Sequence, residues 1–186
     1  MTIKEYIKKN IDPNFDDILP FEISEKVVKK GFLLTDYQQI ERNIYFIKEG
    51  IVEVSILEKG EEKILDFFFE NSFFASYSSL LTSFPSDVSI KAYTNCTLEI
   101  IEYSELKKAY SHSLIANKLG RIETEKLYYK RVLREKELLT KTAEERYVSL
   151  LTHYPKIIEK IAVKDISRYL GIQPESLSRI RKKVIS

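Results

Sequence analysis

The sequence predicts an α+β chain with three parts in order: an antiparallel β-roll, a long helix, and a C-terminal helix-turn-helix. Three observations carry this. Residues 31–103 hold short β-branched and aromatic runs separated by turn residues. Residues 113–140 hold apolar positions spaced alternately four and three apart. Residues 163–184, VKDISRYLGIQPESLSRIRKKV, read as two short helices about a tight turn at Gly171. The chain so divides into 1–112, a roll with N-terminal helices; 113–140, a dimerisation-type helix; and 141–186, a helix-turn-helix domain.

Taken in order, residues 2–11 read as a short amphipathic helix with Ile3, Tyr6, Ile7 and Ile11 on one side, ended by Asp12-Pro13. Ile18–Lys30 reads as a second helix. From Gly31 the period becomes extended, through GFLLT (31–35), NIYFIK (43–48), IVEVSIL (51–57) and KILDFFF (63–69). Turn residues 48–50 and 58–61 separate these runs. In IVEVSIL, Val52, Val54 and Ile56 alternate with Glu53 and Ser55, the pattern of a half-buried antiparallel strand. Further strands are expected at Val88–Tyr93 and Thr97–Tyr103, which makes roughly six in a small roll or sandwich. Between Glu70 and Asp87 the alternation fails, and Phe73, Phe74, Tyr77, Leu80 and Leu81 predict a short helical turn. Such an aromatic segment inside a β-domain either closes the core or lines a ligand pocket.

In the long helix, Ile115, Leu119, Ile122, Lys126, Tyr129 and Leu133 form a heptad seam with one lysine in it. It suits one partner helix, so a homodimer is expected, with an ordinary core helix packed on the roll as the alternative. Gly120 allows close approach of a neighbouring helix. Thr142-Ala143-Glu144-Glu145 is a capping box that starts a fresh helix through about His153. Tyr154-Pro155 stops it, and Lys156–Ile161 leads into the helix-turn-helix.

There the apolar spacing is demanding, because two helices must bury one shared face. Ile166, Leu170, Ile172, Leu177 and Ile180 fall on it, small Ser167 sits where the second helix crosses, and Pro174 suits the first turn of that helix. The opposite face, with Gln173 before it, carries Glu175, Ser176, Ser178, Arg179, Lys182 and Lys183, a set suited to base edges and phosphates. Charge supports double-stranded DNA as the partner. Residues 160–186 hold seven Lys/Arg against two Asp/Glu, whereas the other 159 residues hold 23 against 26.

Composition removes other classes. With 44% apolar and 31% charged residues the chain reads as soluble and globular, and its 22 Phe and Tyr without Trp imply an aromatic core. The single cysteine, Cys96, excludes an internal disulfide, and two histidines argue against an ordinary zinc site, so no metal or cofactor is expected. The N-terminus has no signal-peptide apolar run and no stretch reaches membrane-spanning length, which points to the cytoplasm. There is no nucleophile elbow, phosphate loop or metal-spaced cluster, so no catalytic residues and no enzyme are expected.

This order of parts resembles the Crp/Fnr superfamily of bacterial transcription regulators, over nearly the whole chain. The residues that carry the resemblance are NIYFIKEGIVEV (43–54), similar to the family's strand–turn–strand signature, TAEERY (142–147), and DISRYLGIQPESLSRIRKK (165–183). It implies a cyclic nucleotide-binding-like roll, a dimer, promoter DNA, and RNA polymerase as a partner if the protein activates. Two departures stand out. Family members that bind cyclic AMP carry a Gly-Glu pair for the ribose hydroxyl and, some ten residues on, an Arg for the cyclic phosphate; residues 73–92 have none of the three. Cyclic nucleotide is therefore not the expected effector. The residues left for an effector pocket are Phe73, Phe74, Ser76, Tyr77, Ser78, Ser79 and Lys91, whose serines suit a smaller anion. The second departure is Pro174, which aligns with the family's guanine-contacting Arg, while Glu175 and Arg179 match its base-reading positions. The sequence ends almost where this helix does, so any β-wing is expected before the helix pair or not at all. The competing reading is a ligand-binding or protein-docking module that no longer reads DNA.

Overall fold

The computed structural model describes residues 1–154 and 157–185, so Pro155, the expected helix stop, Lys156 and Ser186 lie outside the described residues. Eight helices and eight strands are found among them. In chain order they are α1 (Ile3–Asn10), β1 (Ser24–Val28), β2 (Leu33–Thr35), β3 (Asn43–Glu49), β4 (Val52–Glu58), β5 (Glu61–Phe68), β6 (Phe73–Phe74) and α2 (Tyr77–Thr82). There follow β7 (Val88–Ala92), β8 (Cys96–Glu102), α3 (Tyr103–Tyr110), α4 (Leu114–Thr140), α5 (Ala143–His153), α6 (Ile157–Lys160), α7 (Val163–Leu170) and α8 (Pro174–Ile185). The residues form two compact units, Met1–Ile56 with Leu65–Glu125, and Leu57–Ile64 with Lys126–Ser186.

The first unit is built on two four-stranded sheets, ordered β1-β8-β3-β6 and β2-β7-β4-β5, with antiparallel pairings. Alternation along β3 sends Tyr45 and Ile47 to the inside of the roll, where they meet Val52 and Val54 of β4, Ile90 and Ala92 of β7, Leu98 and Phe74. Ile44 and Phe46 go to the other face, which α1, α3 and the start of α4 cover with Ile3, Tyr6, Ile7, Leu106, Ala116 and Leu119. Aromatic rings hold both cores, as the composition requires. Tyr6 meets Phe46 and Phe73 edge-on at 5.3 and 5.5 Å, and Tyr45 stacks on Phe74 at 5.1 Å.

Three local readings need correction. Residues 24–28 are not helical: Val28 is buried in the roll and the segment lies beside β8, where backbone pairing replaces the helical bonds that Ile18–Lys30 was expected to make. β4 is not half-buried, because Glu53 and Ser55 are as enclosed as Val52 and Val54. Glu53 lies opposite Lys91 in the register and pairs with its amine at 2.7 Å, so the outward face of this strand is sealed by a polar pair. The aromatic segment is divided: Phe73 and Phe74 form a strand paired with β3, only Tyr77–Thr82 is helical, and Leu81 is exposed.

In the helical part the local signals act as read. Thr142 accepts from the Glu145 N–H while the Glu145 carboxylate accepts from the Thr142 N–H, the full capping box, and α5 runs to His153. Thr2 and Glu5 cap α1 in the same way. Gly120 does permit a close approach, but of a side chain in its own chain: a methyl group there would lie 2.4 Å from the Tyr110 hydroxyl.

Candidate nucleic-acid interface and effector site

α7 ends on Gly171 at φ 68, a left-handed conformation that costs glycine little. The Ile172 N–H follows by donating to the Ser167 carbonyl at 3.1 Å. α8 starts at Pro174, where the missing N–H costs no helical bond. Ile166, Ser167, Leu170 and Leu177 are buried, and Ile172 and Ile180 partly so, which is the shared face that the spacing requires. Gln173, Glu175, Ser178, Arg179, Lys182 and Lys183 are all exposed, with Ser176 half-buried beside them. One of these cations is already engaged: the Lys183 amine lies 2.8 Å from the Glu144 carboxylate of α5.

The seven residues considered for an effector pocket do not converge. The two residues of β6 point to opposite faces, so Phe74 enters the roll and Phe73 joins the core under the helices, where Tyr77 also packs. Lys91 sits between Ile90 and Ala92, hence on the face away from the roll interior, and is paired with Glu53. The Ser76 and Ser79 side chains are buried and committed within the chain. Ser76 and Ser86 hydroxyls are 2.8 Å apart, and Ser86 donates to the Val88 carbonyl at 2.7 Å. Ser79 accepts from the Glu41 N–H at 2.9 Å and donates to the Phe84 carbonyl at 2.6 Å. Ser78, the exposed one, donates to Asp87 at 2.8 Å.

Glu41, which carries no local signal in the sequence, is a buried carboxylate beside this helix. It accepts from the Arg42 and Asn43 N–H groups at 2.9 Å each, from the Thr35 hydroxyl, and more distantly from Tyr45. Burial, with the neighbouring Glu41 charge adding to it, pushes the Tyr45 phenol up to about 12. A carboxylate buried in this wall disfavours a second anion beside it.

Along α4 the expected seam is split in the same fashion. Leu119 is buried in the chain's own core and Ile115 packs against it, whereas Lys126, Tyr129 and Leu133 are exposed. Ile122 is intermediate.

No helix among the described residues is long and apolar enough to cross a membrane. Residues 25–113 match the family of cyclic nucleotide-binding domains. No curated protein matches the chain by sequence. Among solved structures, the fold is similar to FixK2 from Bradyrhizobium japonicum, with TM-score 0.71, 22% identity, and 88% of this chain and 84% of that one covered. It is also similar to CLP, a c-di-GMP-responsive global regulator from Xanthomonas campestris (TM-score 0.69, 20% identity, 87% and 86% covered). A third likeness is to a protein from Eubacterium rectale described as a transcriptional regulator of the Crp/Fnr family (0.65, 20%, 98% and 83%).

Proposed function

We infer that this chain, a protein of the Crp/Fnr superfamily, is a homodimeric, sequence-specific DNA-binding transcription regulator of the cytoplasm whose effector is not a cyclic nucleotide. The observation that carries the DNA reading is α8, whose apolar stripe is buried against α7 while Glu175, Ser178, Arg179 and Lys182 stand exposed on the rest of its surface. A helix presented by a tight turn with that exposed set suits the major groove, its acid and fork-shaped base for base edges and its lysines for phosphates. As an activator it would also meet RNA polymerase. Selection of bound sequences from a random DNA pool, followed by titration at several salt concentrations, tests this. A single enriched motif is expected, with affinity falling steeply as salt rises. A pool that stays random would refute it.

What supports the effector reading is that residues 73–92 hold no Gly, Glu or Arg of the kind that the family's cyclic nucleotide-binding members use. A cyclic phosphate in this roll would have no guanidinium partner, and the nearest candidate cation, Lys91, is turned to Glu53. Calorimetry with cyclic AMP and cyclic GMP is expected to give no heat of binding at micromolar ligand. A micromolar dissociation constant for either would overturn this and point to the serines of α2.

Dimerisation is assigned to the exposed part of the seam on α4. Ile122→Asp would place an unpaired charge there at a cost on the order of 3 kcal/mol. Tyr129→Asp does the same at a position 65% exposed, where the fold of the single chain is not at stake. Sedimentation is expected to find the wild type dimeric at micromolar concentration and both variants dissociated. A monomeric wild type, or two fully dimeric variants, would remove the seam from the account.

A further inference from the structure

We propose that a groove between the second half of α4, α5 and the end of α7 binds a small amphipathic carboxylate. The groove has a volume of about 90 Å³, and all its walls belong to the second unit. Leu138, Leu150, Leu170 and the Tyr169 ring make its apolar lining, and Arg134 and Arg146 supply positive charge. Its one acid, Glu137, is already held by the Lys141 amine at 2.7 Å and by the Ser149 hydroxyl. Burial acts to raise the Glu137 carboxyl, but these two hydrogen bonds outweigh it and keep it below the usual range, so Glu137 stays charged and taken.

Neither arginine has an anion to meet among the described residues. Arg134 lies 3.9 Å from the centre of the Tyr169 ring and donates to the Tyr169 carbonyl at 2.9 Å. Arg146 donates to the Lys141 carbonyl at 2.8 Å and, weakly, to the Leu170 carbonyl at 3.4 Å, while its Nε–H is buried with no acceptor among the described residues. The Arg146 guanidinium lines a groove with no acid paired to it among the described residues, and a carboxylate there gains a charge-assisted hydrogen bond that a backbone carbonyl does not supply. A carboxylate on Arg146 with its carbon body against Leu138, Leu150 and Tyr169 satisfies both the charge and the lining. The volume suits an acid of a few carbons or one ring.

Regulation follows from what the arginines hold. Tyr169 and Leu170 carry the last carbonyls of α7, immediately before Gly171 and α8. A carboxylate that recruits Arg146 competes with the Leu170 carbonyl, and one that also draws on Arg134 competes with the Tyr169 carbonyl, which changes how the helix pair is fastened to α4 and α5. This coupling rests on the reading that α8 meets DNA; the binding itself does not.

The experiment titrates the full chain with isovalerate and phenylacetate, and with isoamylamine and phenethylamine as cationic controls. Arginine Nε–H signals and the amides of Tyr169 and Leu170 are followed by ¹⁵N NMR. Saturable shifts at millimolar acid, including the Arg146 Nε–H, and none with the amines are expected. Arg146→Met should weaken binding by about tenfold or more. Because that variant also removes two carbonyl bonds, Leu138→Glu provides the second arm: Leu138 is 52% exposed, so a carboxylate there repels the ligand while the thermal midpoint holds. The proposal is overturned if neither acid saturates, if the amines bind as well, or if Leu138→Glu binds acid like the wild type. DNA affinity, measured separately, distinguishes the two readings. Acid binding in a chain with no DNA affinity would leave the groove and sink the regulator, whereas DNA binding without acid binding does the reverse. Acid that saturates the groove yet shifts DNA affinity by less than about twofold would overturn the coupling.

Discussion

Gly50→Ala is expected to cost about 3–5 kcal/mol, enough to unfold much of the roll at physiological temperature. Two penalties coincide at this residue. Its φ of +100° is a backbone conformation that alanine adopts only under strain. Its missing Cβ would also lie 2.4 Å from the Asn95 carbonyl oxygen and 2.7 Å from Cys96 Sγ, atoms of the β7–β8 connection. That connection is fastened to the same turn by the Tyr93 and Thr94 N–H groups, which donate to the Ile51 carbonyl, and by the Ile51 N–H, which donates to the Thr94 hydroxyl. Neither strand pair can shift without breaking these bonds. Gly60→Ala is the control, since Gly60 also has positive φ but no atom within 4 Å of where its Cβ would be. Urea unfolding of both variants separates strain from collision. Equal losses at the two positions would mean that the close approach at Gly50 contributes nothing.

What could be read from the sequence, and what could not, divides along range. The capping box at Thr142 and Glu145, the left-handed turn at Gly171 and the Pro174 helix start depend on a few adjacent residues, and each appears where its residue types put it. The apolar face of the helix pair was legible for the same reason, because periodicity within one helix fixes its buried side. β1 was not. SEKVV is short and carries charges at a spacing compatible with either structure, and only its pairing with β8, some 70 residues on, makes it a strand. Glu53 is likewise far in sequence, about 40 residues, from its cross-strand partner Lys91, which is why the buried acid on β4 looked like a solvated one.

The candidate effector site was the least legible part. A run of serines beside a short helix suits an anion until the acceptors of those hydroxyls are known, and they turn out to be Ser86, the Phe84 carbonyl and Asp87. Arg134 and Arg146 carry no local signal either. They stand in helices whose exposed charges look alike in sequence, and only the return of α7 brings the Tyr169 and Leu170 carbonyls to them.

Within α8, reading and holding should separate between two residues four apart. Arg179 follows Glu175 by one turn, both are exposed, and so they project from one face toward neighbouring base pairs. Arginine offers two parallel donors to guanine O6 and N7, and glutamate accepts from cytosine N4. Arg179→Ala is therefore expected to cost about 1–3 kcal/mol on the best site and to relax specificity at one base pair. Lys183 lies one turn further along, where a helix entering the groove by its N-terminal end leaves the bases for the backbone. In the free chain its amine is held by Glu144, with side-chain exposures of 70% and 38%. An ion pair that open contributes little to stability, about 1 kcal/mol at most, so a phosphate can displace it. Lys183→Ala is expected to weaken binding to all sequences alike and to reduce the salt slope by about one. Glu144→Gln makes the converse change: it removes the carboxylate charge beside the lysine and should tighten binding uniformly without altering the preferred sequence. The measurement is affinity against a panel of single-base variants of the best site, at two salt concentrations, for the wild type and the three variants. Parallel losses across the panel for Arg179→Ala would make it a phosphate contact and not a base reader. A Glu144→Gln protein that binds no tighter would place Lys183 away from the DNA, with its partner on α5 as its whole role.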